Sequence, residues 1–246
     1  MAKYKHGDKI VSINIWFKIA TFLMFHFIIL FPASIVTFML YRYRIYGRNN
    51  LKKVPKAVTV SNHTLFWDPV IIACTSFPKM PYQTLLEATV CAPIVGTLTR
   101  LLGGVPIPRR DMYFKSLTEG CETIFKKNNY LHFYPEGECY LYNNVPKRFH
   151  SGAFYVSAKL NVPIVPMATV FHKGGNRPVV HLHIMEPVYP EKYNIFNEDG
   201  QLNEQNLKKY MKDVQGIISN KIIEENGTGE YFKGALKRIP GINDEE

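Results

Sequence analysis

At 246 residues the chain suits one sizeable domain with a short appendage. Its 46% hydrophobic and 13% aromatic residues exclude a disordered protein. Thirty Lys and Arg against twenty Asp and Glu leave +10, which points to an anionic partner, either nucleic acid or a membrane surface.

An apolar segment near the start favours the membrane over nucleic acid. Residues 19–41 contain no Asp, Glu, Lys or Arg and are dense in Phe, Ile and Leu. At ~1.5 Å per residue that run is about long enough to cross a hydrocarbon core of ~30 Å. It is too long for a signal peptide, and no small-residue cleavage site follows it. Pro32 lies inside it, where proline removes a helical hydrogen bond. Two arrangements follow: a kinked span, or two shorter helices forming a re-entrant hairpin in one leaflet. Lys3, Lys5, Lys9 and Lys18 precede the run, and Arg42, Arg44, Arg48, Lys52 and Lys53 follow it. Such balanced flanks give the positive-inside rule little asymmetry, which favours the hairpin. A buried core helix suits the aromatic and basic flanks less well. The four cysteines, Cys74, Cys91, Cys121 and Cys139, lie far apart with no CxxC pair. They read as reduced thiols in a domain facing the cytoplasm, without zinc-ligand spacing or a disulfide framework.

After a basic connector over residues 42–56, short β-branched runs alternate with helical patterns. Residues 57–60 predict a buried strand ending at Ser61-Asn62-His63. Residues 69–75 predict a helix, with Asp68 as its N-cap and Pro69 in its first turn. Residues 92–102 predict a helix leading into the Gly103-Gly104 turn, and residues 105–108 an extended piece. Residues 114–127 form an amphipathic pattern with Leu117, Cys121, Ile124 and Phe125 on one face. Strands are expected at 130–134, 164–170 and 179–184, and a helix at 152–160. A charged helix over 202–225 turns Leu207, Tyr210, Met211, Val214, Ile217 and Ile218 inward. This alternation predicts an α/β fold with a largely parallel sheet flanked by helices. We expect a membrane-embedded helical motif over residues 1–48 and a catalytic domain over 49–246.

The sharpest constellation is Asn62-His63-Thr64-Leu65-Phe66-Trp67-Asp68. A histidine at a strand end meets a carboxylate five positions later if the chain turns between them. The carboxylate then fixes the tautomer, and the other ring nitrogen faces substrate as a base. A helix cap explains Asp68 equally well on spacing alone. His181 and His183 alternate on a strand and share a face. They could bind metal, but no third ligand is evident, so a sheet-surface role is expected and no metal or cofactor is assigned. Cys139 has no activating base marked nearby and reads as a small packing residue.

Further blocks follow in order. Gly104-Val105-Pro106-Ile107-Pro108-Arg109 sets a cation after a glycine turn, and Phe133-Tyr134-Pro135-Glu136-Gly137-Glu138 sets a carboxylate at a strand end. Val162-Pro163-Ile164-Val165-Pro166 is an apolar run bracketed by prolines. With the His63–Asp68 block, the chain resembles the lysophosphatidic acid acyltransferase family of glycerolipid acyltransferases over residues 53–167. The family's blocks are NHx4D, a glycine-led stretch ending in arginine, FPEG and VPxxP; Phe149 to Ala153 also resembles its F-x-x-G-A step.

The resemblance implies transfer of a fatty acyl group from acyl-CoA or acyl-carrier protein to a lysolipid hydroxyl, with the bilayer as a further partner. His63 would be the general base and Asp68 its orienting carboxylate. Asn62, Arg109, Glu136 and Gly137 would contact substrate, Arg109 and Glu136 at the acceptor's polar head. A thioester leaves as a thiolate of pKa ~8.5, so one base suffices without a serine triad. Backbone amides near the turn from Asn62 to Asp68 are candidate oxyanion donors. Two departures bear on the acceptor. Glu138-Cys139 stands where many members carry a basic residue, and Leu86-Glu87 where the family tends to place lysines. Either Lys147, Arg148 or Arg110 replaces that charge, or the acceptor is not lysophosphatidic acid. A transacylase like the tafazzins and a catalytically silent membrane-binding homologue are the alternatives.

Overall fold

A computed structural model of the chain describes residues 15–107, 114–145, 147–227, 232 and 234–239. Arg109 and Arg110 lie outside the described residues. The apolar run is one uninterrupted helix: α1 (Ile15–Leu23), a π-helical stretch (Met24–Leu30) and α2 (Phe31–Leu40). Pro32 falls in the first turn of α2, directly after the π stretch. Backbone angles at Leu23, Leu30 and Phe31 are all helical. The expected hairpin is therefore corrected, because it needs a turn near Pro32, whereas the wider π turn lets the helix run past the proline.

Tyr41 leaves the helix in extended conformation and enters β1 (Arg42–Tyr46) at once. The connector expected at residues 42–56 thus holds a sheet strand and a short helix, α3 (Arg48–Lys52). Residue 48, the expected domain limit, falls after the first strand of the sheet. The strands β2 (Ala57–Ser61), β3 (Tyr82–Leu86), β4 (Gly104–Ile107), β5 (Tyr130–Phe133), β7 (Ile164–His172) and β8 (Val179–Ile184) join β1 in a seven-stranded sheet. Its order is β1-β8-β7-β2-β5-β3-β4, and only the β7–β8 pairing is antiparallel. A separate pair joins β6 (Cys139–Tyr140) to β9 (Arg238–Ile239).

Helices cover both faces of the sheet, which is why β2, β5 and nearly all of β7 are buried throughout, with no alternation of exposure. On one face α7 (Phe114–Phe125), α8 (Gly152–Lys159) and α9 (Glu204–Glu225) pack Leu117, Ile124, Phe154, Tyr210, Val214 and Ile218 against Val58, Val60 and Leu131. On the other, α4 (Asp68–Ser76) sets Ile71 and Ile72 with Leu65 against Val165, Met167 and Leu182. The inward face expected for α9 is present, with Ile222 added and Met211 and Ile217 half-buried.

The single helix expected over 92–102 is broken into α5 (Glu87–Cys91) and α6 (Val95–Leu101). Ala92 precedes Pro93 and is extended, as a residue before proline prefers, and Ile94 takes φ +62°. The N-terminal helix lies along this side of the domain. Its Phe25 and Leu30 pack with Ala73, Cys74, Met80 and Leu102, while α1 meets α6 and α2 meets α4. Arg177 donates to the Met39 carbonyl at 2.9 Å, a cation at the helix C-terminus where the dipole favours one.

Candidate active site

Two parallel neighbours, β2 and β5, end side by side, and the loops leaving their carboxyl ends build the site. Ligand sites of open α/β sheets lie outside such strand ends. After β2 the chain turns through Asn62 and His63 into α4. The Asp68 carboxylate reaches back across this turn, and its Oδ2 accepts from the Thr64 amide at 2.6 Å and the Leu65 amide at 2.8 Å. The same oxygen lies 2.9 Å from His63 Nδ1. Asp68 is buried at 2% exposure, and His63 stays partly open. Asp68 is therefore not the N-cap of α4. Trp67 occupies that position, and the Asp68 side chain ties the histidine turn instead.

With Nδ1 engaged by a carboxylate, Nε2 is the ring nitrogen left for chemistry. His63 lines a cavity of about 380 Å³, a size within the range of ligand clefts. Tyr134, Gly137, Glu138 and Cys139 line it with His63, and Val70, Leu85, Leu86, Leu102 and Ile107 add apolar walls. Phe25 and Leu30 of the N-terminal helix also line it. The cavity thus joins the histidine to the one long apolar helix of the described residues.

Behind the histidine lies a layer that sequence reasoning missed. The Tyr134 ring stacks on His63 at 4.1 Å and 21°, and its hydroxyl lies 3.5 Å from Gln83 Oε1. His132, on β5 and fully buried, meets Thr59 Oγ1 at 2.9 Å and Ser61 Oγ at 3.2 Å. Burial, reinforced by the nearby His63, lowers its pKa to about 3, so it stays neutral. The segment after β5 returns to clamp the turn: Tyr140 and Tyr142 amides donate to the His63 and Thr64 carbonyls, each at 3.0 Å. The only sequence hint was that Tyr134 sits inside the FPEG-like block and His132 two residues ahead of it.

The expected substrate contacts fall differently. Gly137 lines the cavity at φ +71°, a conformation that favours glycine. The Asn62 amide is buried and exchanges two 2.8 Å hydrogen bonds with the Thr169 backbone. Asn62 therefore ties the turn to β7, with both ends of its side-chain amide engaged there. Glu136 is buried too, with Oε2 accepting from the His63 amide at 3.2 Å. It lies behind the turn, outside the cavity lining, where it holds the His63 amide. Burial raises its pKa to about 7, against the lowering effect of the His63 and Lys147 amides. Because carboxylates occupy the amides of His63, Thr64 and Leu65, these three do not serve as oxyanion donors.

The Glu138-Cys139 departure from the family pattern has structural consequences. Glu138 is buried and held by Arg238 through Nε at 2.7 Å and Nη2 at 3.0 Å, so a distant cation is drawn to the site. Lys147 lies over the Tyr140 ring at 4.5 Å, whereas Arg148 is exposed. Burial, with Asp68 and Glu136 nearby, pushes the Cys139 thiol far above its ordinary value, which argues against a thiolate nucleophile.

The model of the Acyltransferase family matches residues 42–170, just over half of the chain. A chloroplastic 1-acyl-sn-glycerol-3-phosphate acyltransferase of Brassica napus is 27% identical over 72% of this chain and 54% of its own length. One from Arabidopsis thaliana, also chloroplastic and of the same description, is 28% identical over 69% and 50%. The chain thus spans about half the length of these curated relatives. Its fold matches the crystal structure of the 1-acyl-sn-glycerophosphate acyltransferase PlsC from Thermotoga maritima, with a TM-score of 0.56, 20% identity and 89% coverage of both chains. The chain belongs to the Acyltransferase family.

Proposed function

We propose that this chain transfers a fatty acyl group from a thioester, acyl-CoA or acyl-carrier protein, to the hydroxyl of a lysolipid. The observation that carries this reading is the His63–Asp68 pair beside an apolar cavity that reaches the N-terminal helix. Nε2 of His63 removes the proton as the lysolipid hydroxyl attacks the thioester carbonyl. Asp68 then offsets the charge of the imidazolium. The tetrahedral intermediate collapses with loss of a thiolate, a leaving group that needs little proton help. The acyl chain lies along the cavity wall formed by Val70, Leu85, Leu102, Phe25 and Leu30.

The favoured acceptor is 1-acyl-glycerol-3-phosphate, giving phosphatidic acid, because the two curated relatives are named for that substrate. Arg109 binds the acceptor phosphate in this reading, since a guanidinium can pair two oxygens at once. Arg109→Lys is expected to weaken saturation by the acceptor more than by the thioester. An equal effect on both would withdraw that role.

We also propose that the helix lies in one leaflet with the catalytic domain at the cytoplasmic surface. Trp16, Phe22, Phe27, Phe31 and Phe38 are exposed on the helix, and Phe77, Ile94, Val95 and Leu98 on the domain beside it. A perpendicular span would drag the flanking domain into lipid, because Phe25, Leu30 and Met39 all touch it. The test is a purified full chain offered a panel of lysolipids with acyl-CoA or acyl-carrier protein. Phosphatidic acid as the main product supports the reading. Another lysolipid product would change the acceptor, and transfer only from an intact phospholipid would make the protein a transacylase.

A further inference from the structure

On the far side of the sheet from His63, the β7–β8 hairpin and the end of α9 bring a second set of histidines to one carboxylate. His181 and His183 share a face of β8, as their alternation requires. The register places Val170 opposite His181 and Val179 opposite His172, so His172 at the end of β7 stands diagonally beside His181. Glu225, the last residue of α9, closes the group. Its Oε2 lies 3.0 Å from His181 Nδ1, 3.2 Å from His183 Nε2 and 3.5 Å from His172 Nε2.

Such a cluster has more imidazole nitrogens than one carboxylate oxygen can satisfy. His172 Nε2 and His183 Nε2 are buried and make no hydrogen bond among the described residues, although both face Glu225 at ion-pair distance. The distances from the Glu225 oxygen to the imidazole nitrogens are close to those between ligand atoms of a coordination shell. Around a tetrahedral zinc ion with N and O ligands at ~2.0–2.2 Å, ligand atoms sit about 3.3–3.6 Å apart. The ligand atoms of His172, His181 and Glu225 lie within 4.8 Å of one another. A cation here would also sit at the C-terminal end of a 22-residue helix, where the dipole favours positive charge. Tyr46 stacks on His183 at 4.7 Å and 11° and meets His181 edge-on at 5.2 Å, holding both rings. Lys221 is the nearby opposing cation, and its ammonium is engaged by Glu224 at 2.6 Å.

We propose that His172, His181 and Glu225 bind a divalent transition-metal ion of the zinc class. Imidazoles with one carboxylate select zinc, cobalt or nickel over calcium and magnesium, which need oxygen-rich shells. The ion would clamp the end of α9 to the β7–β8 hairpin. It takes no part in acyl transfer, so this site stands or falls independently of the proposed activity.

The test uses the full chain, freed of any histidine tag, stripped with chelator, loaded with micromolar zinc and desalted. Elemental analysis is expected to find about one zinc per chain, and the cobalt form to show the visible bands of a tetrahedral site. The His172→Ala/His181→Ala double variant is expected to lose the metal, and Glu225→Gln to weaken binding about tenfold or more. Zinc is expected to raise the thermal midpoint of wild type and not of the double variant. Should that variant misfold, Glu225→Gln carries the test by its zinc affinity. The proposal is overturned if folded wild type retains less than roughly a tenth of an equivalent of zinc, cobalt and nickel. Unchanged zinc affinity in folded Glu225→Gln would overturn it as well.

Discussion

The same sheet carries two histidine–carboxylate arrangements, and they differ in what the carboxylate oxygen has left to give. Asp68 Oδ2 accepts from two backbone amides and one imidazole, so it is fixed in place and its histidine keeps one free nitrogen. Glu225 Oε2 faces three imidazoles and, among the described residues, no backbone amide. The first arrangement orients the imidazole proposed as the base. The second leaves unpaired nitrogens converging on one point, which is how a metal site is built. Position differs likewise: Asp68 ties a turn at parallel strand ends beside an apolar cavity, and Glu225 ends a surface helix.

The largest effect should separate the two histidine sets. His63→Ala is expected to lower acyl transfer about 10²–10⁴-fold with the fold retained. His181→Ala, far from the cavity, should stay within about twofold of wild type. Comparable losses in both would erase the distinction. Asp68→Asn comes next, expected to cost about 10²-fold or more because the imidazolium loses its counter-charge. Near-normal turnover of folded Asp68→Asn would leave Asp68 with only its structural role in the turn.

A third prediction concerns stability against pH. Glu136 titrates near 4.5 when free and near 7 when folded, so the folded state holds its proton in that window. The stability it contributes is present below pH 4.5 and lost as pH rises through 7. His132 works the other way: from an ordinary 6.5 it falls to about 3, so stability is lost as pH drops below 6.5. Glu136→Gln removes the first effect alone. Relative to wild type, it should gain on the order of 3 kcal/mol between pH 4.5 and 7 in urea unfolding. Parallel curves would mean Glu136 is not held protonated. The smallest effect is expected from Leu30→Trp, which narrows the apolar cavity that Leu30 lines. Preference should move to shorter acyl chains by about tenfold, measured as kcat/KM ratios.

The site's frame was legible because its signals are local. Asn62 to Asp68 lies within one turn, and the β-branched run of residues 57–60 leads straight into it. What escaped depends on tertiary neighbours. β1 hid in a basic stretch because Arg42 and Arg44 alternate with Tyr43 and Ile45, a pattern suited to a charged edge strand. Asp68 precedes a proline, as a cap would, yet its side chain turns back to Thr64 and Leu65. Asn62 and Glu136 stood within the recognised blocks, but only the fold shows that they grip backbone amides instead of facing the cavity. The pairs His172–Glu225 and Glu138–Arg238 span 53 and 100 positions, and no periodicity links residues so distant.

The most direct test of the central claim counts both products of the reaction in one vessel. Purified full chain would receive labelled acyl-CoA and 1-acyl-glycerol-3-phosphate in mixed micelles, with thiol release and new lipid ester followed together. The account predicts about one ester formed per thiol released, and neither above background in folded His63→Ala. Thiol release with free fatty acid as the only acyl product, or undiminished ester formation by His63→Ala, would contradict it.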